Sequence, residues 1–569
     1  MARTTAIGIQ SFEKIRSGNC FYIDKTSFIQ DWWESKDEVT LITRPRRFGK
    51  TLTMSMIEQF FSVAYADRGD LFEGLSIWQS AKYRKLQGTW PVISLSFARI
   101  KESTYISAHD KLCEIIRNLY NHFSFLKDSD RLTDTDRTYF DRILDTHVRD
   151  SDITSSLYQL SDYLCRYYGK KVIILLDEYD TPMQEAYVHG FWNELVEFIR
   201  SLFNSAFKAN PYLERGLMTG ITRISKESIF SDLNHLKVVT TTSNEYSTAF
   251  GFTEAEVFAA LDEYGLGEKK ENVKYWYDGF TFGQSSDIYN PWSILNFLDT
   301  GRLDTYWANS STNQLVSKLL QEGNRKLKIS FERLLTGKSI KSSIDEQIIY
   351  GQLDGSEEAV WSLLLASGYL TVASWQRAEE SIYGEDPLYE LVITNFEVRQ
   401  MFYRMVRRWF SPFKDDYGDF IQALLAGDLK AMNHYLNRVC LQCFSYFDTG
   451  AGPVGNEPER FYHGFILGLL AELCNQYTVT SNRESGFGRY DVVIEPFDQA
   501  KNAFILEFKV KDDEENSLED TVQTALAQIE KRQYAADLLA RGFTLQQIKK
   551  YGFAFEGKRA KIGTEYKPQ

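Results

Sequence analysis

Short apolar runs near residues 39–43, 91–97, 172–177, 215–220 and 237–242 alternate with stretches of helical period, and this alternation organises the first half of the chain. Lys171-Val-Ile-Ile-Leu-Leu-Asp177-Glu178 carries no polar interruption before its acidic end. Such a run suits a strand covered on both faces, so the pattern predicts an α/β domain with a mostly parallel sheet over residues 1 to about 300. Thr253-Glu-Ala-Glu256 has capping-box spacing and opens a helix from Val257 to Tyr264, which predicts a small helical lid after the core. From about 301 to 447 the chain reads as mainly helical. There, Ala359-Val-Trp-Ser-Leu-Leu-Leu365 leads into Gly368-Tyr-Leu-Thr-Val372, Tyr389-Glu-Leu-Val-Ile393 and a helix from Glu397 to Trp409. Helix, two-stranded ribbon and helix in that order predict a winged-helix-like module, a DNA binder or equally a spacer or protein contact. Asp448-Thr-Gly-Ala-Gly-Pro-Val-Gly-Asn-Glu-Pro458 reads as a linker, because Gly and Pro cluster between periodic segments.

Beyond the linker, Phe461, Phe465, Leu469 and Glu472 fall on one stripe of a helix over 459–474. Strands follow at Tyr477–Ser481, Asp491–Glu495 and Phe504–Lys509, then a helix from about 517 to 540 and a strand at Tyr551–Phe555. The predicted order over 459–569 is αβββαβ.

Composition narrows the class. With 569 residues, 43% of them apolar and 25% charged, this is a folded chain of several domains. Six cysteines provide neither a disulfide framework nor, with the one close pair Cys440 and Cys443, a four-thiolate zinc site. Met1-Ala-Arg-Thr-Thr-Ala-Ile-Gly lacks the apolar core of a signal peptide, and no apolar run approaches the roughly 18 residues that span a bilayer. The expectation is a cytoplasmic protein with no membrane partner. A net charge of −13 argues against a protein that coats nucleic acid, although a local cationic groove is compatible with it. Arg44, Arg46 and Arg47 form one basic cluster, and Arg404, Arg407 and Arg408 another. Lys511-Asp-Asp-Glu-Glu515 is an acidic loop. With 15% aromatic residues overall, Tyr275-Trp-Tyr-Asp-Gly-Phe280 and Tyr289-Asn-Pro-Trp292 are expected to pack rather than to stack a base.

Two constellations carry chemistry. Leu41-Ile-Thr-Arg-Pro-Arg-Arg-Phe-Gly49-Lys50-Thr51 runs from a strand through a turn into a helix, as a variant phosphate-binding loop does. Backbone N–H groups over Arg46, Arg47, Phe48, Gly49, Lys50 and Thr51 would cradle the phosphates of ATP, Lys50 would reach the β- and γ-phosphates, and the Thr51 hydroxyl would take Mg²⁺. Arg44 stands where the motif has its first glycine, which changes the loop geometry; Arg44, Arg46 and Arg47 are expected to add positive charge near the phosphates. Asp177 would bind Mg²⁺ through water and Glu178 would act as general base on the attacking water. In the second constellation Glu507 and Lys509 sit two apart on a strand and so share a face, and Asp491 opens the neighbouring strand. Two hard carboxylates suit Mg²⁺ or Mn²⁺, and an ammonium beside them stabilises the charge that builds when hydroxide attacks a phosphodiester.

The αβββαβ order with its Asp491, Glu507 and Lys509 resembles the PD-(D/E)XK nuclease superfamily. Ser481-Asn-Arg-Glu-Ser-Gly-Phe-Gly-Arg-Tyr-Asp491 is similar to the nuclease domain fused behind a bacterial AAA-ATPase-like family. Phe21-Tyr-Ile-Asp-Lys-Thr26, Arg44–Thr51, Asp177-Glu-Tyr-Asp180, Thr219-Gly-Ile-Thr-Arg223 and Tyr289-Asn-Pro-Trp-Ser293 occur in order and resemble that ATPase, so the likeness covers essentially the whole chain. The resemblance implies metal ligands at Asp491 and Glu507, a catalytic lysine at Lys509, a helix glutamine at Gln528, and a further ligand at Glu472 or, in its place, Glu484. It implies a sensor strand at Leu217–Gly220, with Arg223 a sensor, an arginine finger or an ordinary surface arginine. The function it implies is an ATP-regulated, metal-dependent nuclease acting on nucleic acid, with DNA expected, in defence or mobile-element handling. The alternative is a nucleotide-controlled switch or scaffold that binds without cutting. Homo-oligomerisation is left open.

Overall fold

The structure, a computed structural model, describes residues 3–224, 229–230, 233–310, 313–345, 353, 356–375, 387–409, 417–443, 466, 470, 473, 476–481, 484–485, 488–489, 491–512, 515–556 and 559–564. The chain forms two compact units, Met1–Val316 with Lys341–Val398, and Ser317–Ile340 with Arg399–Gln569. The first is built on strands β1 (Val39–Thr43), β2 (Val92–Ser96), β3 (Val172–Asp177), β4 (Leu213–Gly220) and β5 (Leu236–Val239). They are parallel throughout, in the spatial order β2-β3-β4-β1-β5. Every residue of β1 and of β3 is buried, as their unbroken apolar runs require. Helix α1 (Lys50–Phe61) contributes Met54, Ile57, Phe60 and Phe61 to a core shared with Ile42, Ile173, Leu175 and Leu217.

Because all five strands run the same way, the segments that follow β1, β3 and β4 open at one edge of the sheet, where open α/β sheets hold ligands. Only the strand order decides which of them are neighbours. β4 lies between β1 and β3, so its last residues separate the loop after Thr43 from Asp177.

The lid is a small antiparallel sheet, Phe252–Thr253, Ser285–Tyr289 and Phe280–Phe282, with helices Glu254–Glu263, Lys270–Tyr277 and α2 (Pro291–Thr300). The expected capping box is present at Thr253 and Glu256, and the helix begins at Glu254. Val257, Leu261, Tyr277, Tyr289 and Phe297 form its core, so Tyr277 and Tyr289 pack as expected, whereas Tyr275 is 64% exposed. Further on, helix Glu357–Ala366, the antiparallel pair Leu370–Trp375 and Leu388–Ile393, and helix α3 (Phe396–Trp409) follow the expected order, but the sheet has three strands where a two-stranded ribbon is expected, because Ile340–Ser343 adds beside Leu388–Ile393.

The second unit carries β6 (Tyr477–Ser481), β7 (Val492–Pro496), β8 (Ala503–Val510), β9 (Ile548–Glu556) and β10 (Arg559–Gly563) in that spatial order. Only β8 and β9 pair in parallel. The period of two along β8 sorts its side chains cleanly. Phe504, Leu506 and Phe508 enter one core with Leu470, Leu473, Phe553 and Phe555. Ala503 and Ile505 enter another with Val522, Leu526 and Ile529 of helix α4 (Leu518–Lys531). Full burial of each phenylalanine contributes about 1.5–3 kcal/mol, so a one-residue slip that turned this strand over would cost far more than any single contact.

Two expectations are corrected. The helix expected over 517–540 is two, α4 and α5 (Ala536–Ala540), because Gln533 takes a left-handed φ of 54° and breaks the ladder. The sheet also gains β10, an extra strand paired to β9. The 448–458 linker, Phe461, Phe465, Leu469 and Glu472 lie outside the described residues.

Candidate functional site

Two separate groups of side chains stand out, one in each unit. At the first, Gly49 caps α1 from a left-handed φ of 83°, a conformation that a side chain would strain. Lys50 is 6% exposed and its ammonium donates to the carbonyls of Arg44 and Pro45, both at 2.9 Å. Burial pushes its pKa down, while Glu178, Asp177 and Asp180 favour its charge. The Thr51 hydroxyl donates to Asp177 Oδ2 at 2.7 Å, and Thr219 from β4 donates to the other carboxylate oxygen. Burial raises the Asp177 pKa and these two hydroxyl donors oppose the rise. A hydroxyl and a carboxylate meeting at the mouth of a phosphate-type loop are the oxygen donors that Mg²⁺ takes alongside phosphate.

Glu178 follows at once, in the left-handed region with φ 51°, and accepts from the Thr181 hydroxyl at 3.2 Å. A non-glycine residue held there costs of order 1–3 kcal/mol, and such outliers concentrate at functional sites. Arg46 and Arg47 are exposed and Phe48 is buried, packing edge-on against Phe280 and Phe282 of the lid. Arg223 is half-buried in the segment after β4, at the same sheet edge.

Arg44 departs from expectation. Its guanidinium turns into the core, donating to the carbonyls of Thr43 (2.9 Å), Thr240 (2.7 Å), Glu245 (3.3 Å) and Tyr246 (3.4 Å), with the Phe282 ring 4.6 Å away. Burial lowers its pKa to about 9, which leaves it charged at neutral pH. The residue in place of the first glycine therefore braces the loop from beneath, and the positive charge at the surface comes from Arg46 and Arg47. Four carbonyl acceptors account for the inward turn, since a buried cation must be hydrogen-bonded.

Asp180 has a role that its place in the sequence does not disclose. It is 1% exposed, and its Oδ2 accepts from the Ile221 and Thr222 N–H groups and the Thr222 hydroxyl, each at 2.9 Å. Asp180 thus fixes the turn that leads to Arg223. The signal was an acidic residue just past an acidic strand end, next to the Gly-Ile-Thr turn it holds. Gly220 is confined by the same contact: a Cβ there would lie 2.7 Å from the Tyr179 ring and 2.8 Å from Asp180.

In the second unit, the antiparallel register pairs Val492 with Leu506, and one step further sets Asp491 opposite Glu507. Asp491 Oδ2 accepts the Phe508 N–H at 2.8 Å. Glu507 is 1% exposed, and the Lys509 ammonium lies 3.5 Å from its Oε1, as the shared face predicts. That face continues Ala503 and Ile505 towards α4, from which the Gln528 amide donates to Glu507 Oε1. Two carboxylates and a lysine are therefore assembled at one strand end, and the hard-oxygen pair fits Mg²⁺ or Mn²⁺. Glu484 sits in a two-residue strand paired with Gly488–Arg489, and its side chain, like the whole of Glu472, is outside the described residues.

Tyr534 was not anticipated. Its hydroxyl accepts from Gln528 Nε2 at 3.0 Å and it is 2% exposed; burial raises its pKa, with Glu507 and Asp491 adding to the rise and Lys509 opposing it. The break at Gln533 gives Tyr534 this place, and a helix continued through 540 would have hidden the fact.

Residues 6–230 match a family described as a predicted AAA-ATPase, AAA-ATPase-like. Residues 457–565 match the PD-(D/E)XK nuclease superfamily. A protein of Azotobacter chroococcum mcd 1, described as an uncharacterized protein in the vnfD 5' region, is 26% identical over 395 residues, spanning 69% of this chain and 68% of its own. The chain carries an AAA-ATPase-like domain and a C-terminal PD-(D/E)XK nuclease superfamily domain.

Proposed function

We propose that the protein binds and hydrolyses ATP at the Arg44–Thr51 loop and cleaves nucleic acid, DNA foremost, at Asp491, Glu507 and Lys509, with nucleotide state regulating the cutting. The observation that carries this reading is the meeting of Asp491, Glu507 and Lys509 at one strand end, within a PD-(D/E)XK superfamily domain and behind an AAA-ATPase-like one. A role in defence or mobile-element handling belongs to the same proposal and rests on the family resemblance.

The residues divide the work. In the first unit, backbone N–H groups of Arg46 to Thr51 and the Lys50 ammonium receive the phosphates, and Thr51 and Asp177 would hold Mg²⁺. Glu178 accepts the proton of the attacking water and Arg223 stabilises charge on the transferring phosphoryl group. In the second unit, Asp491 and Glu507 would hold Mg²⁺ or Mn²⁺, with Glu472, or Glu484 in its place, as a further ligand. A bound divalent ion supplies Lewis acidity and a strong nucleophile at neutral pH. Lys509 meets the charge that builds on the phosphodiester, and Gln528 keeps the Glu507 carboxylate oriented.

The deciding experiment is a cleavage assay on single-stranded, duplex and branched substrates, with Mg²⁺ or Mn²⁺ and with or without ATP. Metal-dependent cutting that changes with ATP is expected; wild-type protein that cuts none of them would overturn the nuclease reading in favour of a switch that binds without cutting. Two substitutions refine it. Arg223→Ala is expected to lower ATP turnover about 10²-fold while changing nucleotide affinity much less, since it acts on charge developed in the transition state; unchanged turnover returns Arg223 to the surface. Gln528→Leu is expected to slow cleavage by about tenfold, the worth of one hydrogen bond of ~1.5 kcal/mol to a charged group, read from initial rates at saturating metal.

A further inference from the structure

We infer that Trp307, Asn290 and Glu397 are positioning residues for the phosphate-binding loop, holding the Arg46–Arg47 peptide so that its N–H faces the loop interior. The inference rests on the reading of Arg44–Thr51 as the nucleotide site. A trans peptide is planar, with its C=O and N–H pointing in opposite directions. Whatever pins the Arg46 carbonyl therefore aims the Arg47 N–H the other way. Two donors from outside the loop pin it: Trp307 Nε1 at 2.9 Å and Asn290 Nδ2 at 3.3 Å.

The need for them follows from the sequence. Arg47 is a non-glycine residue at φ 64°, and the loop has Arg44 where a glycine would give freedom. A left-handed residue beside a right-handed one makes a concavity of N–H groups suited to an anion, but an arginine does not hold that shape unaided. The Arg47 guanidinium also lies 4.2 Å from the Trp292 ring centroid, on the same lid helix that Asn290 caps. Asn290 divides its amide between two tasks. Its oxygen accepts from the Trp292 and Ser293 N–H groups at the start of α2, and its nitrogen reaches Arg46.

Trp307 is held in turn. It is 4% exposed, with its ring edge-on to Phe280 at 5.4 Å, and its backbone N–H donates to Glu397 Oε1 at 2.7 Å. The same oxygen takes the Ala308 N–H at 3.3 Å, and Glu397 Oε2 takes the Ser293 hydroxyl at 2.8 Å. Glu397 is 1% exposed. One buried carboxylate at the start of α3 thus ties the Trp307 segment to the lid helix that bears Asn290. Residues 46, 290, 307 and 397 act as one unit although long stretches of chain separate them.

The test uses the full-length chain and a fluorescent ATP analogue with Mg²⁺. Trp307→Phe keeps an aromatic ring and removes only the indole N–H. It is expected to raise the dissociation constant about tenfold, the worth of one hydrogen bond with its partner left unsatisfied, and to change turnover at saturating nucleotide less than twofold. Glu397→Ala should weaken binding at least as much. Glu397→Gln should restore affinity to within about twofold, because the amide oxygen accepts the two N–H groups and its nitrogen donates to Ser293. Thermal melting of Trp307→Phe within a few degrees of wild type separates positioning from general destabilisation. Lys50→Ala is the control: if it binds like wild type, the loop is not the nucleotide site and this inference falls with that reading. If Lys50→Ala loses binding while Trp307→Phe and Glu397→Ala bind like wild type, the positioning role alone is overturned.

Discussion

Alanine at Asp491, Glu507 or Lys509 is expected to lower nucleic-acid cleavage by about three orders of magnitude while ATP hydrolysis stays measurable. Removing either carboxylate takes away the charge that holds a divalent ion and with it the means of producing a nucleophile. Glu507 is the more sensitive of the two because it is buried and joined to both Lys509 and Gln528. Truncating it leaves an ammonium and an amide facing a void, so Glu507→Gln belongs beside Glu507→Ala to separate lost chemistry from lost packing. Lys509→Ala should keep metal affinity and lose rate, since the lysine acts on developing charge. Isothermal titration with Mn²⁺ beside a cleavage time course measures both quantities. Persistence of wild-type cutting in the triple variant would remove these residues from the reaction.

Lys50→Ala and Glu178→Gln are expected to separate nucleotide binding from hydrolysis. Lys50 opens α1 and its ammonium gives two hydrogen bonds to loop carbonyls, a place from which it would reach the phosphates. Charge-assisted bonds of about 1.5–3 kcal/mol each make a loss of affinity of 10²-fold or more reasonable. Glu178→Gln keeps size and removes the basic oxygen, so affinity should hold within about twofold while hydrolysis slows by 10² to 10⁴, the usual worth of a general base. Nucleotide titration and phosphate release on the same preparations test this. Normal hydrolysis in Glu178→Gln would move the base role elsewhere, with Asp177 unsuited to it because both of its oxygens already accept from Thr51 and Thr219.

Much of the framework was legible locally. The unbroken apolar runs at 39–43 and 172–177 became buried parallel strands, because a strand covered on both faces has no solvent side on which to place polar residues. Glu507 and Lys509 were readable as one face of β8 from period alone. The continuous helix over 517–540 misled, since a left-handed residue at Gln533 leaves no mark in hydrophobic spacing, and with it went the chance of seeing Tyr534. Arg44 misled for the opposite reason: charge suggested an exposed partner for phosphate, and the four carbonyls that receive it come mostly from residues 240–246.

The sequence by itself determined most of the strands and helices, the glycine and lysine that open α1, and the pairing of acid with lysine at a spacing of two, since each of these depends on neighbours a few residues away. Tertiary structure alone decided the order β2-β3-β4-β1-β5, which brings Thr51 and Thr219 each to one oxygen of Asp177, and the junction of Asn290, Trp307 and Glu397 behind Arg46. These are contacts between segments tens to hundreds of residues apart, where periodicity carries no information. Which of them form is set by how whole strands and helices bury their apolar faces together.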